Sequence, residues 1–156
     1  MNDLIIFCAK YLIIVPVLVW IFVFWRLKLS KRLLALTVLA GFLALVASRV
    51  ASHLFYDPRP FVNHSVKPLI SHSADNGFPS DHTLLAATLS SVIYFFDRKL
   101  AAISFAATLL VSLGRIGAHV HSPIDIIGSL VIAVAAAWLA QYLVDRYKNQ
   151  KTAPKR

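Results

Sequence analysis

LIIFCAKYLIIVPVLVWIFVFW, residues 4–25, is an apolar run of 22 residues interrupted only by Lys10 and Pro16. About 20 apolar residues carry an α-helix across the ~30 Å of a bilayer's hydrocarbon. The run is longer than a signal-peptide core, and no small-residue cleavage site follows it. It is therefore read as a first transmembrane helix. Four further apolar stretches, residues 33–55, 83–96, 100–117 and 124–144, extend the pattern along the chain. The expected fold is all-α: an integral membrane bundle of five transmembrane helices.

Composition agrees. Of 156 residues, 58% are hydrophobic and 15% charged, and the mean hydropathy is +0.70. Those values exclude a soluble domain, a disordered chain and a disulfide scaffold. The single cysteine, Cys8, lies in the first apolar run and reads as a small core hydrophobe. No internal repeat, low-complexity tract or second domain interrupts residues 1–156, which read as one domain with a basic tail at 145–156, disordered at its tip.

Sixteen Lys and Arg against seven acids, all Asp, give a formal charge of +9. In a soluble protein this balance would suggest nucleic acid; here its placement argues against such a partner. Arg26, Lys28, Lys31, Arg32, Arg98, Lys99 and five tail charges, eleven in all, fall on one side of the bundle, against Arg59 and Lys67 on the other. The positive-inside rule then puts the C-terminus in the cytoplasm and the N-terminus outside, in a multi-pass protein of the cell membrane. The long loop 56–81 and the short connection 118–123 share the outer face. Trp20, Trp25 and Trp138 fit an aromatic belt, and Lys10 a side chain that snorkels to the outer headgroups.

Three polar islands lie at the outer helix ends: Asp57-Pro-Arg-Pro60, Phe78-Pro-Ser-Asp-His82 and the run from Gly114 to Asp125. Unpaired Arg, His or Asp at membrane depth costs roughly 2.5–3.5 kcal/mol, so such groups are paired or functional. Arg59 and Arg115 suit the oxygens of a phosphate, and Ser80 with the first N–H groups of the third span adds donors and a favourable dipole. His121 and Asp125, four apart, stack on adjacent turns, leaving one imidazole nitrogen free as nucleophile. His82 remains as general acid.

The motifs Arg-Pro at 59–60, Pro-Ser-Asp-His at 79–82 and Arg-x5-His-x3-Asp at 115–125 resemble the signature of the type 2 phosphatidic acid phosphatase superfamily, KxxxxxxRP, PSGH and SRxxxxxHxxxD. RPFVNH with NGFPSDHT looks most like bacterial undecaprenyl-diphosphatases. The motif-bearing stretch from Arg59 to Asp125 covers 67 of 156 residues. The resemblance implies that His121 forms a phosphohistidine, that Asp125 orients it, and that His82 protonates the departing oxygen. Arg59, Ser80, Asp81 through its backbone N–H, and Arg115 would hold the phosphoryl group, with no metal or other cofactor. The implied substrate is a lipid phosphate or pyrophosphate, foremost undecaprenyl diphosphate, in peptidoglycan and cell-wall synthesis; phosphatidylglycerophosphate, diacylglycerol pyrophosphate and phosphatidic acid share the same phosphoryl group.

Three positions depart from the signature: Ser52 stands for its lysine, Asp81 for its glycine and Gly114 for its serine. Five spans are read where the family's bacterial members commonly have six, which implies one N-terminal helix fewer. Arg49, one turn before Ser52 on the same face, is the candidate replacement for the lysine. Lys67 is its rival, and an ion pair with Asp57 or another outer acid is the structural alternative for Arg49. His64, His72 and His119 are given no role beyond substrate contact. Two other classes stay open: a non-enzymatic transporter or channel lined by Arg49, Arg115 and the histidines, and a metal site built from His64, His72, His82, His119 and His121 with Asp57, Asp75 and Asp81, although no fixed ligand spacing matches one.

Overall fold

Pro16 decides the shape of the first apolar stretch. It has no N–H to donate, and its ring is set against the carbonyl four residues back. The stretch accordingly divides into α1 (Asn2–Lys10) and α2 (Ile14–Arg26). Between them the chain tightens into i→i−3 bonds, Ile14 N to Tyr11 O and Val15 N to Leu12 O, both 3.0 Å. The first span expected over 4–25 is thus built from two consecutive helices, which together, as Asn2–Arg26, are long and apolar enough to cross a membrane.

The structure, a computed structural model, describes residues 2–63 and 66–152. The expectations for His64 and for the tip of the tail fall outside them. Ser30 caps α3 (Lys31–Leu54) by accepting from Leu33 N at 3.3 Å. A short helix, α4 (Pro60–Asn63), interrupts the loop that leads to α5 (Asp81–Tyr94). The Asp97 carboxylate opens α6 (Arg98–Gly117) by accepting from the N–H groups of Lys99 and Leu100, each at 3.0 Å. Finally α7 (Pro123–Thr152) begins with proline at its first position, where a missing N–H costs nothing.

Among the described residues, four stretches are long and apolar enough to cross a membrane: Asn2–Arg26, Lys31–Leu54, Arg98–Gly117 and Pro123–Gln150. The other expected span, residues 83–96, falls on α5, which has 14 residues, or about 21 Å at 1.5 Å per residue, and is not one of these four stretches. It is the innermost helix, buried from Thr83 to Ile93 except at Leu85. Hydroxyls seal it to α6: Thr83 Oγ1 lies 3.2 Å from Ser112 Oγ, and Ser90 Oγ lies 2.7 Å from Ser104 Oγ and 3.1 Å from Thr108 Oγ1. Small hydroxylated side chains of this kind let transmembrane helices approach closely and bond across the gap. On α3, Leu34, Val38, Phe42 and Leu45 form an exposed stripe at helical spacing, a face suited to lipid.

The basic turns meet at one end of the bundle, where Arg26 pairs with Asp97 at 2.8 Å and Arg32 with Asp145 at 3.2 Å. Two expectations change here. Residues 145–152 continue α7 instead of starting a loose tail: the next helix breaker is Pro154, and Asp145 is tied to Arg32. Trp20 turns inward, its indole N–H donating to Thr37 Oγ1 at 2.8 Å, so it joins α2 to α3 and leaves the belt to Trp25 and Trp138, which are exposed.

Candidate active site

At the other end, Ser122 and Asp125 open α7 with reciprocal bonds. Asp125 N donates to Ser122 Oγ at 3.3 Å, and Ser122 N donates to Asp125 Oδ2 at 2.9 Å. This is a capping box with aspartate in the acidic position. The same Oδ2 lies 3.1 Å from His121 Nδ1, and both side chains are buried. Helix capping and histidine orientation therefore share one carboxylate.

The other face of that imidazole fixes its tautomer. Arg59 Nη1 and Arg115 Nη2 each lie 3.3 Å from His121 Nε2. A guanidinium only donates, so Nε2 is the acceptor and Nδ1 carries the proton towards Asp125. Burial and the two guanidiniums lower the His121 pKa from its ordinary value, against the pull of the Asp125 hydrogen bond. The result is an unprotonated ring nitrogen, aimed between two cations.

The loop before α5 holds Arg59 in place. Arg59 Nε donates to Asp75 Oδ1 at 2.7 Å and Nη1 to Val120 O at 2.8 Å. Asn76 fastens the loop to the end of α3: its amide donates to Ser52 O at 2.9 Å and Phe55 O at 3.0 Å, while its oxygen accepts from Asp57 N and Phe78 N, each at 3.0 Å. Asp57 bonds Ser122 Oγ; the alternative ion pair with Arg49 is not formed. A Cβ on Gly77 would meet Asp125 Oδ2 at 2.8 Å and Asp57 O at 3.1 Å, so the loop lies directly on the carboxylate.

His121, His82, Arg59, Arg115, Asp81 and Arg49 line one cavity of about 320 Å³. Asp125 stands behind His121, outside the lining. Ser80, expected to hold the phosphoryl group, is instead fully buried outside the lining, because it sits under the start of α5 against α7; its carbonyl accepts from Ser129 Oγ at 3.0 Å, and among the described residues its own hydroxyl has no partner. Ser52, in the lysine position of the signature, reaches the cavity wall, whereas Lys67 does not. His119 is half-buried and takes a positive φ of 60°. Among the described residues no three His, Cys, Asp or Glu side chains converge as metal ligands would.

Sequence reasoning missed the wall residues Asn76 and Ser48, gave Asp75 a place only in a metal site, and gave His72 no role beyond substrate contact, although both line the cavity. The His72 ring stands edge-on to His121 with centroids 5.9 Å apart. Burial, then Arg59, Arg115 and His121, lower its pKa from 6.5 to about 4 despite Asp75, so His72 is neutral at physiological pH. The Ser73 hydroxyl, with Arg59, holds the Asp75 carboxyl below its ordinary value. The signal for Asp75 and Asn76 was their position before Gly77, a sequence that turns the chain.

Phe78 links this wall to α7. Its ring packs edge-on against Phe55, centroids 5.0 Å apart, and a Cβ on Gly128 would meet Phe78 Cε2 at 2.2 Å. Gly128→Ala is expected to displace Phe78 and cost about 1–3 kcal/mol, as overpacking does. A lowered melting temperature of the purified variant, with reduced turnover, checks this.

Long apolar helices around a polar cavity at one end define a helical integral membrane enzyme. The PAP2 superfamily profile matches residues 30–149, and the chain belongs to that superfamily of lipid phosphatases. It is 33% identical over 141 residues to undecaprenyl-diphosphatase BcrC of Bacillus subtilis (strain 168), spanning 89% of this chain and 72% of that protein. Its fold superposes on LpxE of Aquifex aeolicus with a TM-score of 0.63 at 25% identity, covering 90% of this chain and 82% of that one. It also superposes on the first transmembrane PAP2-type phosphatidylglycerolphosphate phosphatase from Bacillus subtilis, with a TM-score of 0.65 at 20% identity, covering 100% and 78%. The protein is thus a phosphatase, a hydrolase built into the membrane.

Proposed function

We propose that this protein hydrolyses a lipid diphosphate, foremost undecaprenyl diphosphate, to the lipid monophosphate through a phosphohistidine at His121. The observation that carries this reading is the His121 ring itself, with Nδ1 on Asp125 and an acceptor Nε2 between Arg59 and Arg115. The similarity to an undecaprenyl-diphosphatase supports the choice of lipid.

In the first step the Nε2 lone pair attacks the terminal phosphorus. The P–Nε2 bond forms, the bridging P–O bond breaks, and its electron pair leaves with the lipid phosphate, which takes a proton from His82. Water then attacks the phosphohistidine, its proton passes to His82, and the P–N bond breaks with its pair returning to Nε2. Arg59, Arg115 and the free N–H groups at the start of α5, that of Asp81 first among them, hold the equatorial oxygens, while the buried Ser80 hydroxyl stands behind the cavity wall. Fixed cations and donors of this kind stabilise the spreading charge of a transferring phosphoryl group. Asp125 keeps the tautomer and favours the charged imidazole that forms.

Two results follow for the purified protein and the cell. Excess EDTA leaves phosphate release intact; loss of activity restored by Mg²⁺ or Zn²⁺ contradicts the reading. With Cys8→Ser, Lys67→Cys on the exposed loop reacts with an impermeant thiol reagent added to intact cells, because the site faces outward. Labelling only after lysis reverses the orientation. Phosphate release from a panel of undecaprenyl diphosphate, phosphatidylglycerophosphate, diacylglycerol pyrophosphate and phosphatidic acid tests the lipid directly.

A further inference from the structure

Arg49 and Asp81 belong to two cavities at once. Besides the polar one, they border a second of about 380 Å³ between α3 and α5, whose other walls are Gly41, Ala44, Leu45, Leu84, Leu85 and Thr88. Gly41 lies eight residues before Arg49, or about 12 Å along α3, so this groove runs from the polar cavity towards the middle of the membrane. A Cβ on Gly41 would meet nothing within 4 Å, and the groove opens sideways past Leu45 and Leu85, which are 51% and 50% exposed.

The three cavity arginines differ in what holds them. Arg59 is bound by Asp75 and the Val120 carbonyl, and both Arg59 and Arg115 lie against His121. Among the described residues the Arg49 guanidinium takes part in no ion pair or hydrogen bond; only its carbonyl is engaged, by Ser52 Oγ at 2.9 Å. An unpaired cation thus stands where the polar cavity becomes apolar. Asp81 faces it across the same boundary, so Arg49 is the group there that attracts an anion.

From this order of groups we propose that Arg49 grips the lipid-side phosphate of a diphosphate substrate while the first part of the hydrocarbon chain lies in the α3–α5 groove. Arg49 thereby gives the enzyme its preference for diphosphate over monophosphate lipids. A lipid diphosphate presents, in sequence, a terminal phosphate, a second phosphate and a hydrocarbon chain. The protein presents, in the same sequence, His121 with Arg59 and Arg115, then Arg49, then the apolar groove. Continuity of the groove with the polar cavity assigns the occupant: whatever phosphate sits at His121 brings its tail past Arg49. The negative charge that grows on the departing lipid phosphate is the charge Arg49 stabilises. A monophosphate lipid has no group at that position. The inference rests on the phosphatase reading above, and it differs from the lysine-replacement role, in which Arg49 would hold the terminal phosphate.

The test measures kcat/KM of the purified full chain for farnesyl diphosphate and farnesyl phosphate. Arg49→Gln is expected to lower the diphosphate-to-monophosphate ratio at least tenfold. Equal losses on both substrates would place Arg49 on the terminal phosphate and overturn the proposal, as would no loss on either. For the groove, Gly41→Leu and, separately, Leu85→Trp are expected to raise KM for farnesyl diphosphate at least fivefold relative to KM for p-nitrophenyl phosphate, which has no chain. An unchanged KM ratio in both folded variants overturns the groove assignment. Failure of the phosphatase reading shows differently: wild-type protein releases no phosphate from either farnesyl substrate, or His121→Ala turns over as fast as wild type.

Discussion

His121→Ala is expected to lower kcat by roughly 10⁴-fold or more, the scale on which deletion of a covalent nucleophile acts. The size of the effect comes from the geometry. Both buried guanidiniums place a nitrogen 3.3 Å from Nε2. Removing the ring deletes the attacking lone pair and leaves two buried cations facing each other without the acceptor between them. The fold should survive, because the α7 capping box uses Ser122 and Asp125 and not the imidazole. Asp125→Asn is milder on chemistry, since an attacking atom remains, but it disturbs both the tautomer and the cap. Steady-state turnover of the purified variants, beside their melting temperatures, separates the two effects. Turnover of His121→Ala within tenfold of wild type would contradict the role.

His82→Ala has the second large effect, and its size depends on the leaving group. With a monophosphate lipid the departing oxygen is an alkoxide, a strong base that needs a proton as the bond breaks. With a diphosphate it is a phosphate oxygen, whose pKa near 6 lets it leave with little help. Loss of a general acid costs about 10²–10⁴-fold where protonation is needed. His82→Ala is therefore expected to lower kcat/KM, which reports the first phosphoryl transfer and not the later water attack shared by both substrates, by roughly that factor on farnesyl phosphate and by at least tenfold less on farnesyl diphosphate. The bias is opposite to that expected of Arg49→Gln, so general loss of structure cannot produce both. Equal losses on the two substrates would show that His82 holds the phosphate or the fold and does not donate the proton.

What the sequence made legible was local or set by fixed spacing. His121 lies two residues before α7, and the Ser122–Asp125 cap that opens this helix turns the carboxylate back onto the imidazole, which is why the four-residue spacing keeps its geometry. Arg59, His82 and Arg115 reach the same cavity because each lies at the same end of the bundle, an end that charge placement already distinguished. Partners chosen by loop folding were not legible. Asp75 meets Arg59 across 16 residues, and Asn76 reaches back 24 residues to Ser52. Neither contact has a hydrophobic period, and a Pro-rich loop offers many alternative turns. The break between α1 and α2 was visible as Pro16, yet whether proline bends a span or divides it depends on packing, here the close contact of Gly114 with Cys8 and Ala9. The extension of α7 was hidden by charge: residues 145–152 look like a solvated tail, although nothing in them prevents a helix.

The phosphohistidine is the central claim, and a rapid-quench experiment tests it most directly. Wild-type protein is mixed with a lipid diphosphate carrying ³²P in the terminal phosphate, then quenched in alkali, where a phosphoramidate survives, within a single turnover. The label is expected on the polypeptide, in the peptide that contains His121, and absent from His121→Ala. Single-turnover hydrolysis at the full wild-type rate with no label on the protein, or with the label on any other residue, would contradict it.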